Sequence, residues 1–359
     1  MKETIFLTGG TGLLGSYMVN RLLRQKNPEA EKIILLCRGK SQQEAEARMR
    51  GVLGGMSRIE VLRGDVAEEN LGISPSAYKR LAKEVNLIYH SAALCEFGAQ
   101  LGPIRKANVG GTRNVLALAR ECRRAGRFKC LHHISTVAVA GDRHGVVYEN
   151  ELDCRQEFNN TYEQSKFEAE KAVEEARAQD MPAIIYRPSI IVGDSRTGHT
   201  NNFKMLYQPL HLFCMELYRS IPADRSTCFS FSPVDYVAEA IVRISRDSRV
   251  HDYGTYHVSN PNETTFAFFI DAASRYFGFK KPEFLKPDTF PYAEYSPLQQ
   301  DLLKPFVPYF NYRLHFDTRN ACAILDKTGF RWPKMDAAAW GTLFKYCLVS
   351  GFIKPKKQT

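Results

Sequence analysis

The first half of the chain alternates short apolar runs with amphipathic stretches. Thr4–Thr8, Ile33–Cys37, Ile59–Arg63, Leu87–Ser91, Cys130–Ser135 and Ala183–Arg187 read as strands. Between them, Leu13–Arg24, Pro75–Lys83, Lys106–Ala125 and Tyr162–Gln179 carry helical patterning. Strands this apolar, separated by helices, predict a parallel sheet buried on both faces. Right-handed crossovers then give a doubly wound α/β fold of the Rossmann type.

The pattern changes after Pro188. Gly193–Asn202 is polar and loop-like, Phe203–Ser220 is an apolar, aromatic helix candidate, and Pro233–Ser245 is a helix that returns to the main domain. Beyond Asp247, prolines and aromatics are frequent and the strands are short. The expected organisation is a dinucleotide-binding domain of residues 1–194 plus about 233–249, and a smaller C-terminal substrate lobe of about 195–232 and 250–359.

Composition narrows the class. Of 359 residues, 44% are hydrophobic and 25% charged, which is ordinary for a globular chain with a large core. The formal net charge of +10 reads either as a solvated basic surface or as attraction to something anionic. A phosphorylated cofactor, an acidic carrier protein or a membrane surface would qualify. No basic block interleaved with aromatics occurs apart from the short tail Lys354–Lys357, which argues against nucleic acid. The nine cysteines form no CxxC pair and do not cluster with histidines, so they read as reduced core thiols rather than disulfides or metal ligands. The first strand begins at Thr4, and no apolar run approaches the roughly 18 residues of a membrane span. A cytoplasmic chain without a signal peptide or transmembrane segment is expected. Nothing in the sequence sets the oligomeric state.

The candidate chemistry begins at Gly9-Gly10-Thr11-Gly12-Leu13-Leu14-Gly15, between the first strand and the first helix. Gly9 would allow a tight turn, Gly12 a close approach of backbone amides to a pyrophosphate, and Gly15 tight packing of helix on sheet. The helix N-terminus would then face the phosphates. At the end of the second strand, where an NAD site places an acid, stands Cys37-Arg38-Gly39-Lys40. Arg38 can fork onto a 2′-phosphate with Lys40 as added charge, which favours NADPH. Asp65 and Val66 follow the third strand and Ala92 and Ala93 the fourth, lining one crevice. Asn108 is expected beside the cofactor as an anchor tying the fourth helix to the active-site strand.

Tyr162 and Lys166 form a Tyr-x-x-x-Lys pair on one helix face. A phenol titrates near pH 10, and a neighbouring ammonium should lower that value and make it a proton relay. Lys166 can also bond the nicotinamide ribose. At the end of the fifth strand, Thr136, with Ser135 as the alternative, would hold the substrate oxygen. Each feature has a plainer reading, as an exposed helix pair or a strand-end cap. Their order along one fold is what joins them.

These residues resemble the extended short-chain dehydrogenases/reductases. Thr8–Gly15 is similar to the TGxxGxxG loop of that family, and Tyr162 and Lys166 to its catalytic pair, over about residues 1–245. Arg187–Gly198 (RPSIIVGDSRTG) resembles the male-sterility, fatty acyl reductase and thioester reductase group. The resemblance implies NADPH-dependent reduction of an acyl thioester, held on coenzyme A or a carrier-protein phosphopantetheine, to an aldehyde or onward to an alcohol. It also implies that Pro188 and Ser189 hold the nicotinamide side of the cofactor; as a departure from the resemblance, no adenylation or carrier domain is seen in these residues, so the acyl donor is expected in trans. Phe203, Leu206, Tyr207, Leu210, Leu212, Phe213, Met215, Leu217 and Tyr218 would line an apolar tunnel or simply pack a core. Two other functions stay open: an extended reductase or epimerase acting on a ketone, steroid-like alcohol or nucleotide sugar, and a non-catalytic NAD(P)-binding sensor or scaffold.

Overall fold

The computed structural model describes residues 3–24, 30–53, 55–96, 98–247 and 254–354. Residues 248–250, where the two expected domains meet, and tail residues 355–357 lie outside the described residues.

Seven strands form one sheet: β1 (Glu3–Thr8), β2 (Ala30–Cys37), β3 (Ile59–Arg63), β4 (Leu87–His90), β5 (Cys130–Ile134), β6 (Ala183–Pro188) and β7 (Thr255–Val258). Their spatial order is β3-β2-β1-β4-β5-β6-β7, and every neighbouring pair is parallel. This is the doubly wound Rossmann arrangement. The helices flanking it are α1 (Leu13–Arg24), α2 (Gln42–Leu53), α3 (Pro75–Glu84), α4 (Gly111–Arg124), α5 (Thr161–Arg177) and α6 (Val234–Ser245).

Burial explains why the strands read as unbroken apolar runs. Ile5 and Leu7 pack with Met18 and Leu22 of α1 and Val237 and Ile241 of α6. The intervening Phe6 points the other way, against Leu81 of α3 and Val115 and Leu118 of α4. Both faces are therefore covered, as parallel sheets require. The chain reverses its direction of travel between β1 and β4, which opens a crevice at the strand C-termini.

Four expectations change. Helix α2 was not visible in the sequence, because its only buried residues are Ala45 and Met49 and the rest is polar. The helix expected over Lys106–Ala125 opens with a π turn at Lys106–Gly110 before α4. The helix expected over Phe203–Ser220 is only Tyr207–Cys214, and Ser220 begins a short strand. The stretch assigned to the lobe supplies β7, so the sheet takes its last strand from the C-terminal half.

The lobe has its own core around Trp340, Phe269 and Phe344, built by helices Phe266–Phe277 and Ala337–Val349. Several contacts tie it to the sheet domain. Leu314–Phe316 pairs in parallel with Gly145–Val147. The buried Glu149 carboxylate accepts from the backbone N–H groups of His257, Asn320 and Ala321 at 2.9, 2.6 and 3.2 Å. Among the described residues no helix is long and apolar enough to cross a membrane.

Candidate active site

The turn after β1 is built on two glycines that nothing larger could replace. Gly9 has φ +79°, and a Cβ there would lie 2.6 Å from the Ser91 carbonyl carbon and from Ala92 N. A Cβ on Gly15 would lie 2.2 Å from the Gly9 carbonyl oxygen, so α1 can sit directly over the loop. Gly12 N–H closes the turn on the Gly9 carbonyl at 2.9 Å. Gly9, Gly12, Leu13, Leu14 and Gly15 line a cleft, with Thr11 partly exposed beside them. The backbone cradle and the twelve-residue helix behind it fit a dinucleotide pyrophosphate.

The neighbouring strand ends complete that edge. Ala93 lines the cleft, while Ala92 N–H donates to Thr8 Oγ1 at 3.2 Å. Arg38 and Lys40 are exposed at the end of β2. Arg48, on the unforeseen α2, donates to the Arg38 carbonyl at 2.8 Å and brings a third cation to this corner. Asp65 Oδ1 accepts the Ala67 N–H at 2.9 Å, and the Val66 carbonyl accepts from Asn114 at 2.8 Å. Arg38, Lys40, Asp65 and Val66 are not among the walls of the deep cleft around Tyr162. Asn108 lies beneath it and is 2% exposed. Its amide exchanges hydrogen bonds with the Leu94 backbone at 2.7 and 3.0 Å and donates to Ser165 Oγ at 2.8 Å. Asn108 therefore pins the β4 loop to α5, and its amide is engaged within the chain.

Helix α5 starts where the Asn160 side chain accepts the Glu163 N–H at 3.0 Å. One turn in, Tyr162 and Lys166 face the cleft. Lys166 Nζ donates to the Ile134 carbonyl at 2.8 Å. Burial lowers its pKa to about 8, against the opposing pull of Glu170 and Cys95. Tyr162 departs from the sequence expectation. Burial pushes its phenol well above its ordinary value; the Cys95 thiol pushes the same way, and a hydrogen bond to Thr136 only partly offsets them. The phenol is thus held as the acid form.

Thr136 Oγ1 accepts the Ala138 N–H at 3.2 Å at the head of the short turn Val137–Ala140. The alternative hydroxyl, on Ser135, is committed to Glu170. Thr136, Tyr162 and Lys166 therefore meet at one wall. Pro188 and Ser189 form the opposite wall, with Ser189 Oγ 2.9 and 2.8 Å from the hydroxyls of Ser230 and Ser232.

The remaining walls were not visible in the sequence. Cys95, Met205, Phe229, Tyr309, Tyr312 and Leu314 reach the cleft from loops and the lobe. Tyr309 also latches the lobe to α5, donating to Glu163 Oε1 while accepting from Asn160 Nδ2 at 2.6 Å. An aromatic cluster between Tyr309 and Tyr312 was the only available signal, and it does not reveal a partner about 150 residues away. The expected tunnel stripe lies elsewhere. Tyr207, Leu210, Phe213 and Tyr218 are buried in the lobe core, Phe203, Leu206, Leu212 and Leu217 pack against it, and Met215 is 56% exposed. Tyr207, Leu210 and Phe213 of helix Tyr207–Cys214 belong to the core cluster that holds Phe266 and Trp340, and no residue of the stripe lines the cleft, so the core reading holds. Among the described residues no cluster of His, Cys, Asp and Glu could hold a metal ion.

Residues 7–241 match the NAD-binding family model described as male sterility protein. The chain belongs to that family. It is an extended short-chain dehydrogenase/reductase, an oxidoreductase type that works with NAD(P). The terminal R domain from the myxalamid PKS-NRPS biosynthetic pathway is 32% identical, with a TM-score of 0.84 over 99% of this chain and 93% of that one. The non-canonical nonribosomal peptide synthetase cpsA of Aspergillus campestris (strain IBT 28561) is 32% identical over 67% of this chain and 24% of its own length. Carboxylic acid reductase of Mycobacterium tuberculosis (strain ATCC 25618 / H37Rv) is 29% identical over 72% of this chain and 24% of its own. The chain thus spans about a quarter of the length of these two curated relatives.

Proposed function

We propose that this chain reduces acyl thioesters with NADPH and releases the acyl group as an aldehyde. The thioester is carried on coenzyme A or on the phosphopantetheine of a carrier protein. One observation carries the reading: Thr136, Tyr162 and Lys166 meet at one wall of a cleft of about 270 Å³ that runs from the glycine cradle to apolar walls at Phe229, Leu314 and Phe316. The relatives support it, since one is named a carboxylic acid reductase and another is a terminal R domain. Apolar walls suit an acyl chain better than a nucleotide sugar.

Bound NADPH supplies the hydride. Thr136 and Tyr162 donate hydrogen bonds to the substrate carbonyl oxygen, where negative charge develops. Tyr162, held protonated by burial, passes its proton to that oxygen. Lys166 holds a positive charge one turn along the same helix and so eases loss of the phenolic proton. Thioester, hydride and proton together give a hemithioacetal. Its collapse breaks the C–S bond, moves the hydroxyl proton to sulfur and leaves aldehyde and free thiol. The same donors fit a second addition to the aldehyde, which would give the alcohol.

NADPH rather than NADH is favoured by Arg38 and Lys40 at the end of β2, with Arg48 beside them. The net charge of +10 suits an acidic carrier protein. The test follows NADPH oxidation at 340 nm with acyl-CoA and acyl-carrier thioesters, with NADH and a sugar nucleotide as controls. Thioester-dependent oxidation is expected. Tight NADPH binding without oxidation on any thioester would move the function to the ketone, sugar or sensor readings.

A further inference from the structure

The reaction leaves one pair of buried charges without a task. Glu170 is 0% and Arg187 1% exposed. Arg187 donates to Glu170 Oε1 from Nε at 2.9 Å and from Nη2 at 2.5 Å. Glu170 Oε2 accepts from Ser135 Oγ. Arg187 Nη1 also stands 3.2 Å from His257 Nε2, whose Nδ1 faces the Asp317 carbonyl at 2.7 Å. An enclosed ion pair contributes little net stability, because desolvation offsets most of its attraction. Its position is more informative. Glu170 lies one turn beyond Lys166 on α5, Ser135 immediately precedes Thr136, and Arg187 immediately precedes Pro188 and Ser189. One carboxylate joins the three elements that carry the catalytic ammonium, the catalytic hydroxyl and the opposite wall of the cleft.

We infer that Glu170 is a positioning residue for the reduction: through Ser135 it fixes the strand end that presents Thr136, and its negative charge supports the Lys166 ammonium. The inference rests on the thioester-reductase reading. The groups that act on Lys166 are Glu170 on its own helix, Cys95 after β4, His90 on β4 and His133 on β5, and Tyr162 lines the same cleft. Burial pushes His90 to about 3 and His133 well below its usual value, so both rings are neutral. Burial likewise raises Tyr162 and Cys95, which keeps both protonated. Glu170 is then the counter-charge among them. Arg187, with Glu151 farther out and His257 beside it, holds that carboxylate in place.

The test measures kcat against pH, NADPH affinity and thermal unfolding for wild type, Glu170→Gln and Ser135→Ala. Glu170→Gln is expected to move the alkaline limb of kcat toward acid by about one pH unit and to lower kcat about tenfold, with NADPH affinity nearly unchanged at pH 6. Ser135→Ala is expected to lower kcat about tenfold while the limb stays in place. If Glu170→Gln does not fold, the double variant Glu170→Gln/Arg187→Gln removes both charges together, and its alkaline limb should still move toward acid, by less than in the single variant. A folded variant with the wild-type limb, or a Ser135→Ala enzyme with wild-type kcat, overturns the inference. A wild type that oxidises NADPH with no thioester is a distinct result and removes the reductase reading. The shift is then read from the pH dependence of NADPH affinity, which must move in Glu170→Gln for the inference to stand.

Discussion

Lys166 Nζ is 2.8 Å from the carbonyl oxygen of Ile134, two residues before Thr136 on the same strand end. The lysine of α5 is therefore referenced to the backbone that carries the Thr136 hydroxyl. Tyr162, one turn earlier, bonds that hydroxyl through its own. Three side chains from two elements thus share one frame and cannot drift independently.

That frame separates chemistry from binding. Tyr162→Phe removes the proton donor and leaves the aromatic body in place, so turnover should fall by about 10²–10⁴-fold. NADPH affinity should stay within about twofold, as read by fluorescence titration. Thr136→Val should lose about 10²-fold or more, because an oxygen-holding donor is gone. A Tyr162→Phe enzyme at wild-type rate would remove the tyrosine from the reaction.

The pH dependence follows from burial. Lys166 titrates at about 8, below its ordinary value. The ammonium is present below that pH and lost above it, so kcat should fall as pH rises through about 8. Tyr162 is raised and adds no limb in that range. A Lys166→Arg enzyme keeps its charge, and its residual activity should show no such fall. Profiles from pH 6 to 10 decide the matter.

Cofactor choice should reside at the end of β2. Arg38→Ala should weaken NADPH by roughly 10–100-fold and leave NADH within about threefold, since only the former has a 2′-phosphate to lose. Equal loss of both cofactors in binding titrations would show that Arg38 acts on the shared part of the dinucleotide.

Two phenylalanines should behave differently. Phe213 is 2% exposed in the lobe core, and Phe213→Ala should cost about 3–5 kcal/mol of stability without changing chain-length preference. Phe229 lines the cleft, and Phe229→Ala should shift the ranking of acyl chains by kcat/KM toward longer members. Phe229 shares the lobe core and its loss should also cost stability, so a homologous acyl series distinguishes the two.

What was legible in the sequence was local. The glycine loop needs only its spacing and an adjacent strand, and Tyr162 and Lys166 need only one helical turn. Arg38 was placed by counting to the end of a strand. The parts that escaped are long-range. Glu170 and Arg187 look like ordinary surface charges until α5 and β6 are packed together. Cys95, Tyr309 and Tyr312 reach the cleft from separate stretches of chain. The stripe around Phe213 misled because apolar periodicity reports burial and not what lies on the other side. Helix α2 escaped for the opposite reason, since Ala45 and Met49 alone give too faint a stripe.

The seventh strand has a consequence for exchange between relatives. The chain leaves the sheet after Pro188, builds part of the lobe, returns through α6 and Thr255–Val258, and leaves again. Glu149 then grips His257, Asn320 and Ala321 from the other side. A lobe threaded through its neighbour in this way cannot be traded as a cassette with a single cut. A chimera that transplants substrate range must carry three junctions and keep the Thr255–Val258 strand with its host sheet.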